Sequence, residues 1–244
     1  MSENPTYPCS LSLTRQIEDF PIGNIPLSAH SRSVGVSPTS WLPPDFIIRY
    51  PWDLLRANEL YVSSLTENVI QGEVHPLAVI QGIVHIGPGT RILPGVFIEG
   101  NVVIGANCKI GPNCYIRGNT SIGDHCHIGQ SVEIKNCLIL SHTNIGHLSY
   151  IGDSVLGEKV NLGAGTTTSN LRHDGKSHRS MVGGVLVDTG RRKFGTIIGD
   201  GVHTGINTSI YPGRKLWPHT STRPGEIVQQ DLKSQSDDSN FNRR

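Results

Sequence analysis

Counting in sixes from Ile80 lands on an isoleucine again and again: Ile86, Ile92, Ile98, Ile104, Ile110, Ile116, Ile122, Ile128 and Ile134. Two residues ahead of each stands a small or β-branched side chain: Ala78, Val84, Thr90, Val96, Val102, Cys108, Cys114, Thr120, Cys126 and Val132. Glycine often follows the isoleucine, as at Gly87, Gly105, Gly111, Gly123 and Gly129. An α-helix returns a side chain to one face every three or four residues and a strand every two, so neither sustains this period. Short strands joined by tight turns do sustain it, when three strands make one coil of a triangular prism. The isoleucines then stack inside, the small residues fill the corners, and glycine lets the backbone turn. The expected fold is all-β, a parallel β-helix of hexapeptide repeats.

Four segments are expected around this rhythm. Residues 1–45, rich in Ser, Pro and Asn, read as an irregular N-terminal arm. Residues 46–66 hold a short helix over YPWDLLRANELYV, where Pro51 suits the first turn and Leu54, Leu55 and Leu60 supply an apolar side. The β-helix takes residues 67–222 with an insert loop at 171–193, and residues 223–244 read as a solvated tail. A formal charge of +1 gives no reason to expect a nucleic-acid partner. No apolar run is long enough to span a bilayer and the N-terminus does not read as a secretory signal, so a cytoplasmic location without a membrane partner is expected. Five cysteines, an odd number in such a chain, argue against a disulfide framework; Cys108, Cys114 and Cys126 fall in the corner series as core filler.

Beyond Ile134 the count slips. Leu140 is followed by Ile145 after five residues, Ile151 restores six, Leu156 comes after five, and Leu162 restores six. A deleted residue re-aims its neighbours, and a regular solenoid has no structural reason to do this twice, so a site is expected there. The stretch IGHLSYIGD (145–153) puts His147 and Tyr150 at the break. After Asn170 the pattern stops for LRHDGKSHRSMVGGVLVDTGRRK, then resumes at Ile198, Thr204, Ile210 and Leu216. Basic loops are usually just solvated. This one, carrying Arg172, Lys176, Arg179, Arg191, Arg192 and Lys193 beside an irregular coil, is a candidate for handling phosphate.

The stretches GQSVEIKN, GHLSYIGDSVLGEKVNLGAGTTTSN and RRKFGTIIGD carry a resemblance. They are similar to the acetyltransferase domain of the bifunctional glucosamine-1-phosphate acetyltransferase/N-acetylglucosamine-1-phosphate uridylyltransferase family. VDTGRRKFGTIIGDGVHTGINTSIYPG and PWDLLRAN resemble its archaeal-type sugar-phosphate branch. The resemblance implies a left-handed β-helix packed as a homotrimer, with acetyl-CoA as co-substrate and no metal needed for acetyl transfer. It implies His147 as general base and Tyr150 as a sugar-phosphate contact. Arg117 and Lys135 then bind the phosphate, Asn161 the amino sugar, and Lys193 reaches the phosphate from beyond the insert. The Ala164 amide faces the thioester, Asn170 lies near the acetyl group, and Glu133 orients or polarises the site. Leu171 and Ile206 depart from the pattern where the family has a Tyr and a coenzyme-contacting Ser. Nothing here resembles the Gly-rich loop of the nucleotidyltransferase half, so no uridylyl transfer is expected.

Each residue type suits the chemistry. Acyl transfer to an amine needs a proton acceptor near neutral pH, which histidine supplies. Charge building on the thioester oxygen calls for a fixed donor. Arg and Lys on neighbouring strands can neutralise a phosphate dianion. The expected function is therefore acetyl-CoA-dependent N-acetylation of glucosamine-1-phosphate, or galactosamine-1-phosphate, feeding nucleotide-sugar synthesis. Two alternatives stay open. The H-x4-H spacing of His142 and His147 resembles γ-class carbonic anhydrases, trimeric zinc enzymes of the same fold, and a catalytically inactive trimeric scaffold would share the fold too.

Overall fold

The computed structural model describes residues 19–30, 41–43 and 45–233. Three parallel sheets of eight, six and eight strands form the faces of a prism. The chain visits face one (Ile86, Ile104, Ile122), face two (Ile92, Ile110, Ile128) and face three (Ile98, Ile116, Ile134) in turn. Each isoleucine pairs with the one a full coil later: Ile104 with Ile122, Ile110 with Ile128, Ile116 with Ile134. The chain is a β-helix of the left-handed hexapeptide type. Its axis is a single core in which the inward side chains from Ile86 to Leu216 are almost wholly buried. Each such isoleucine contributes about 1.5–3 kcal/mol through burial, repeated coil after coil. Among the described residues, no helix is long and apolar enough to cross a membrane.

The slip in the count falls elsewhere than the sequence suggests. Ile139, not Leu140, pairs with Ile122, and Ile139 in turn pairs with Leu156. The inward series is therefore Ile134, Ile139, Ile145, Ile151, Leu156, Leu162, and both five-residue steps cross the corner between face three and face one. Cys137 takes the small-residue place ahead of Ile139 and is fully buried. Leu140 misleads because it is apolar for a different reason. With Leu138, Val155 and Ile197 it points outward from face one into a second core, built with Trp52, Leu54, Leu55 and Phe194.

A 13-residue helix, Pro51–Ser63, covers face one. Asp53 accepts hydrogen bonds from the Arg49 and Tyr50 amides at its N-terminus. The buried side is Trp52, Leu54, Leu55, Ala57, Asn58 and Val62, with Leu60 half-buried. Asn58 pins the helix to the prism. It donates to the Asn119 carbonyl (3.1 Å) and accepts from Ser121 Oγ (2.6 Å). Part of the expected irregular arm is ordered: Pro21–Ile22 and Ile25–Pro26 form a small hairpin, and Phe20 and Ile22 enter the second core. Leu27–His30 forms a short helical turn, and Leu27, Trp41 and Leu42 pack against the same core; residues 1–18, 31–40 and 44 lie outside the described residues.

The 171–193 excursion, expected as a loop, contains an antiparallel hairpin, Arg179–Val182 with Val185–Asp188. Gly183 and Gly184, at φ 54° and 84°, make the tight turn. The hairpin lies over face one, where the 3%-exposed Lys215 holds it, donating to Ser180 Oγ and the Met181 carbonyl while pairing with Asp231. The excursion leaves face three after Thr167–Thr168 and rejoins face one at Thr196–Ile198, so it too is inserted at the corner where both deletions fall. Past residue 222 the coils continue: Ile227–Val228 pairs with Ser209–Ile210, and Leu232 bridges to Leu216.

Candidate active site

Face three carries the polar cluster. Alternation along its strands sends Tyr115 and Arg117, Glu133 and Lys135, and Tyr150 outward while Ile116, Ile134 and Ile151 point in. Arg117 and Lys135 are direct neighbours across two strands, as are Glu133 and Tyr150. Glu133 accepts from Arg117 at Nε (3.0 Å) and Nη2 (2.7 Å), so its visible work is to orient that guanidinium. The same contact raises the Arg117 pKa. Lys135 Nζ pairs with Asp153 Oδ2 at 2.9 Å. Asn170 Nδ2 donates both to Tyr150 Oη (3.0 Å) and to Asp153 Oδ2 (2.6 Å). Burial, then the Asp153 and Glu133 charges, push the Tyr150 phenol up, so it stays a neutral hydroxyl.

His147 ends the strand Asn144–His147 on face two and stands at the corner that leads to Tyr150 on face three. Stacking along that corner places Ala164 one coil on, since Gly165 N donates to the His147 carbonyl (3.1 Å). Ile206 follows after Ala164, whose carbonyl accepts from Asn207 N (2.7 Å). No hydrogen bond among the described residues uses the Ala164 N–H or the His147 ring. The His147 charge contributes, after burial and Lys109, to holding His127 below its usual pKa.

The structure thus brings together Arg117, Glu133, Lys135, Tyr150 and Asn170 on one face, with His147 and Ala164 along its edge. Asn161 does not join them; it sits on face two, paired with Asn144. Lys193 closes the root of the excursion through a bridge to Leu171. It lines a polar cleft of about 490 Å³ with Arg191, Glu59, Asn136 and Asp153. Burial raises the Glu59 carboxyl, but the Arg191 ion pair, with Asn136 and Arg56, outweighs it and leaves the group below its ordinary pKa. Asn136 Nδ2 joins Glu59 Oε1 (2.8 Å) to Asp153 Oδ1 (2.9 Å). Sequence reasoning missed Glu59, Asn136 and Asp153. The signal was there in the shortened corners: Asn136 and Asp153 hold the left-handed turn positions, at φ 52° and 50°. The histidines of the H-x4-H pair occupy different corners, His142 stacking on His125 with ring centroids 4.9 Å apart.

Residues 98–223, just over half of the 244, match the family model described as the GMPPB C-terminal domain. The bifunctional sugar-1-phosphate nucleotidylyltransferase/acetyltransferase of Sulfurisphaera tokodaii is 41% identical over 182 residues, which is 75% of this chain and 45% of that one. The bifunctional protein GlmU of Methanococcus aeolicus is 38% identical over 186 residues, covering 76% and 45%. The chain spans about half the length of these curated relatives. A UDP-N-acetylglucosamine acyltransferase structure from Francisella novicida aligns over 68% of this chain and 63% of its own, at 17% identity and a TM-score of 0.33.

Proposed function

The chain belongs to the GMPPB C-terminal domain family, and on that premise we propose that it is an acetyl-CoA-dependent N-acetyltransferase acting on an amino-sugar 1-phosphate. Glucosamine-1-phosphate is the leading substrate and galactosamine-1-phosphate the second. The name of the Sulfurisphaera tokodaii relative, a sugar-1-phosphate nucleotidylyltransferase/acetyltransferase, supports sugar-1-phosphate acetyl chemistry. The observation that carries the reading is the meeting of Arg117, Lys135, Tyr150 and Asn170 on one face, at the edge bearing His147 and the Ala164 amide.

Arg117 and Lys135 take the phosphate, and Glu133 keeps the guanidinium turned toward it. Binding that remote group positions the amine, which is a large part of such catalysis. The amine nitrogen forms the new bond to the thioester carbonyl carbon and the carbon–sulfur bond breaks. His147 accepts the proton the nitrogen loses, and the departing thiolate is protonated in turn. The Ala164 N–H donates to the carbonyl oxygen as charge gathers there. Asn161 and Lys193 complete the sugar and phosphate contacts in a cyclic homotrimer, where a face-two residue of one subunit can meet the face-three cluster of the next.

The test is release of coenzyme A thiol from acetyl-CoA with each amino-sugar phosphate, run with chelator present. His147→Ala should lower kcat by about 10²–10⁴-fold. Turnover by the wild type with neither sugar would remove the reading.

A further inference from the structure

Asp153 is buried, its side chain 4% exposed, at the corner where both deletions and the excursion fall. Three donors converge on it. Oδ2 accepts from Lys135 Nζ at 2.9 Å and Asn170 Nδ2 at 2.6 Å, and Oδ1 from Asn136 Nδ2 at 2.9 Å. A carboxyl group presents acceptor oxygens to all three, whereas an amide in its place would turn N–H groups toward at least one donor. The Asn136 amide cannot flip in response, since its Nδ2 also serves Glu59.

We propose that Asp153 is the positioning residue of this site: it sets which atom Asn170 presents and where Lys135 holds its charge. The proposal rests on the acetyl-transfer reading. Asn170 spends its N–H groups on Asp153 and Tyr150. What remains is Oδ1, so Asn170 meets substrate as a hydrogen-bond acceptor. An acceptor beside the reacting centre holds an N–H of the incoming amine and leaves the lone pair free to attack. Stabilising the thioester oxygen then falls to the Ala164 amide. Lys135 has three N–H donors, so it can serve Asp153 and a phosphate at once. The carboxylate fixes the ammonium in place but repels the phosphate, so affinity is given up for geometry.

Asp153→Asn in the full-length protein separates these effects. Its kcat should fall about a hundredfold, the cost of displacing a positioned group, with KM for acetyl-CoA unchanged. Calorimetry should show inorganic phosphate binding about five times more tightly, because the like charge beside Lys135 is gone. A folding defect would also lower kcat but would weaken phosphate binding, so the calorimetry tells the two apart. The double variant D153N/N170A should lose less than the product of the two single losses, since Asp153 acts in part through Asn170. Multiplying losses, wild-type kcat in D153N, or unchanged or weaker phosphate binding would each overturn the proposal. If D153N melts far below the wild type, Asp153→Ser replaces it in the same measurements. Should the wild type turn over no amino-sugar phosphate, the acetyl-transfer reading fails by itself. Phosphate calorimetry then still decides whether Asp153 governs Lys135.

Discussion

Gly152 shows how little room the polar cluster leaves. A Cβ built there would lie 2.5 Å from Tyr150 Oη and 2.8 Å from Asn170 Nδ2, so both side chains rest directly on its bare backbone. Neither atom can move without breaking the other's hydrogen bond. Gly152→Ala should therefore lower kcat by about ten- to a hundredfold, the range expected for a displacement of about 1 Å. Its melting temperature should stay within a few degrees of the wild type, because the displaced groups can turn to solvent. Parallel kinetics and thermal melts check this, and a fully active variant would refute the packing argument. Glu59 makes a prediction in pH. Its folded-state pKa is depressed, so its ion pair with Arg191 stabilises the fold above the unfolded value, about 4.3, and this is lost as pH falls through the depressed value. Both partners are largely buried, so Glu59→Gln should cost about 3 kcal/mol near neutral pH. In melts, the gap to the wild type should begin to narrow below about pH 4.3 and close only below the depressed folded-state value.

At the scale of elements, one corner of the prism does the work. Two coils lose a residue between face three and face one, and the next coil gains the hairpin excursion there. The shortened turns bring Asn136 up against Glu59 of the covering helix, with Asp153 bonded to the same amide. Inserting a glycine between Asn136 and Cys137 would restore the full period, so circular dichroism should keep its β-helix signature. The enlarged turn should push Asn136 off Glu59, lower Tm and abolish turnover. Unchanged activity would mean that the deletions are incidental. This corner also marks the limit of what sequence reveals. The prism was legible because inward isoleucines repeat on a fixed period, and backbone pairing converts that period into register. The position of the slip was not, because Ile139 and Leu140 are both apolar and the period cannot tell which one faces the axis. Only the second core under the helix decides between them. Arg117, Lys135 and Tyr150 stood out as polar residues in a patterned stretch. Asp153 did not, because an acidic residue at a turn usually means only a turn.

The whole molecule leaves one edge unfinished. Along the corner between faces two and three, Leu77 and Leu148 are each 68% exposed and Ile206 is 53% exposed. Leu148 also sits at φ 50°, a left-handed conformation that a bulky residue adopts at a cost. It does so beside His147, on the edge that carries the Ala164 amide. Paying backbone strain to expose a leucine gains a lone prism nothing. It makes sense if the edge is covered by a neighbouring subunit, with each site completed across the contact. Light scattering in solution should then give three times the 26.5 kDa of one chain. Leu148→Arg would place a charge in that contact, where burying it unpaired costs several kcal/mol. It should split the assembly and remove turnover while leaving the thermal unfolding of the single prism cooperative. A wild-type mass of one chain at assay concentration, together with full activity, would show that the site is complete within a single prism and that Leu148 is exposed for some other reason.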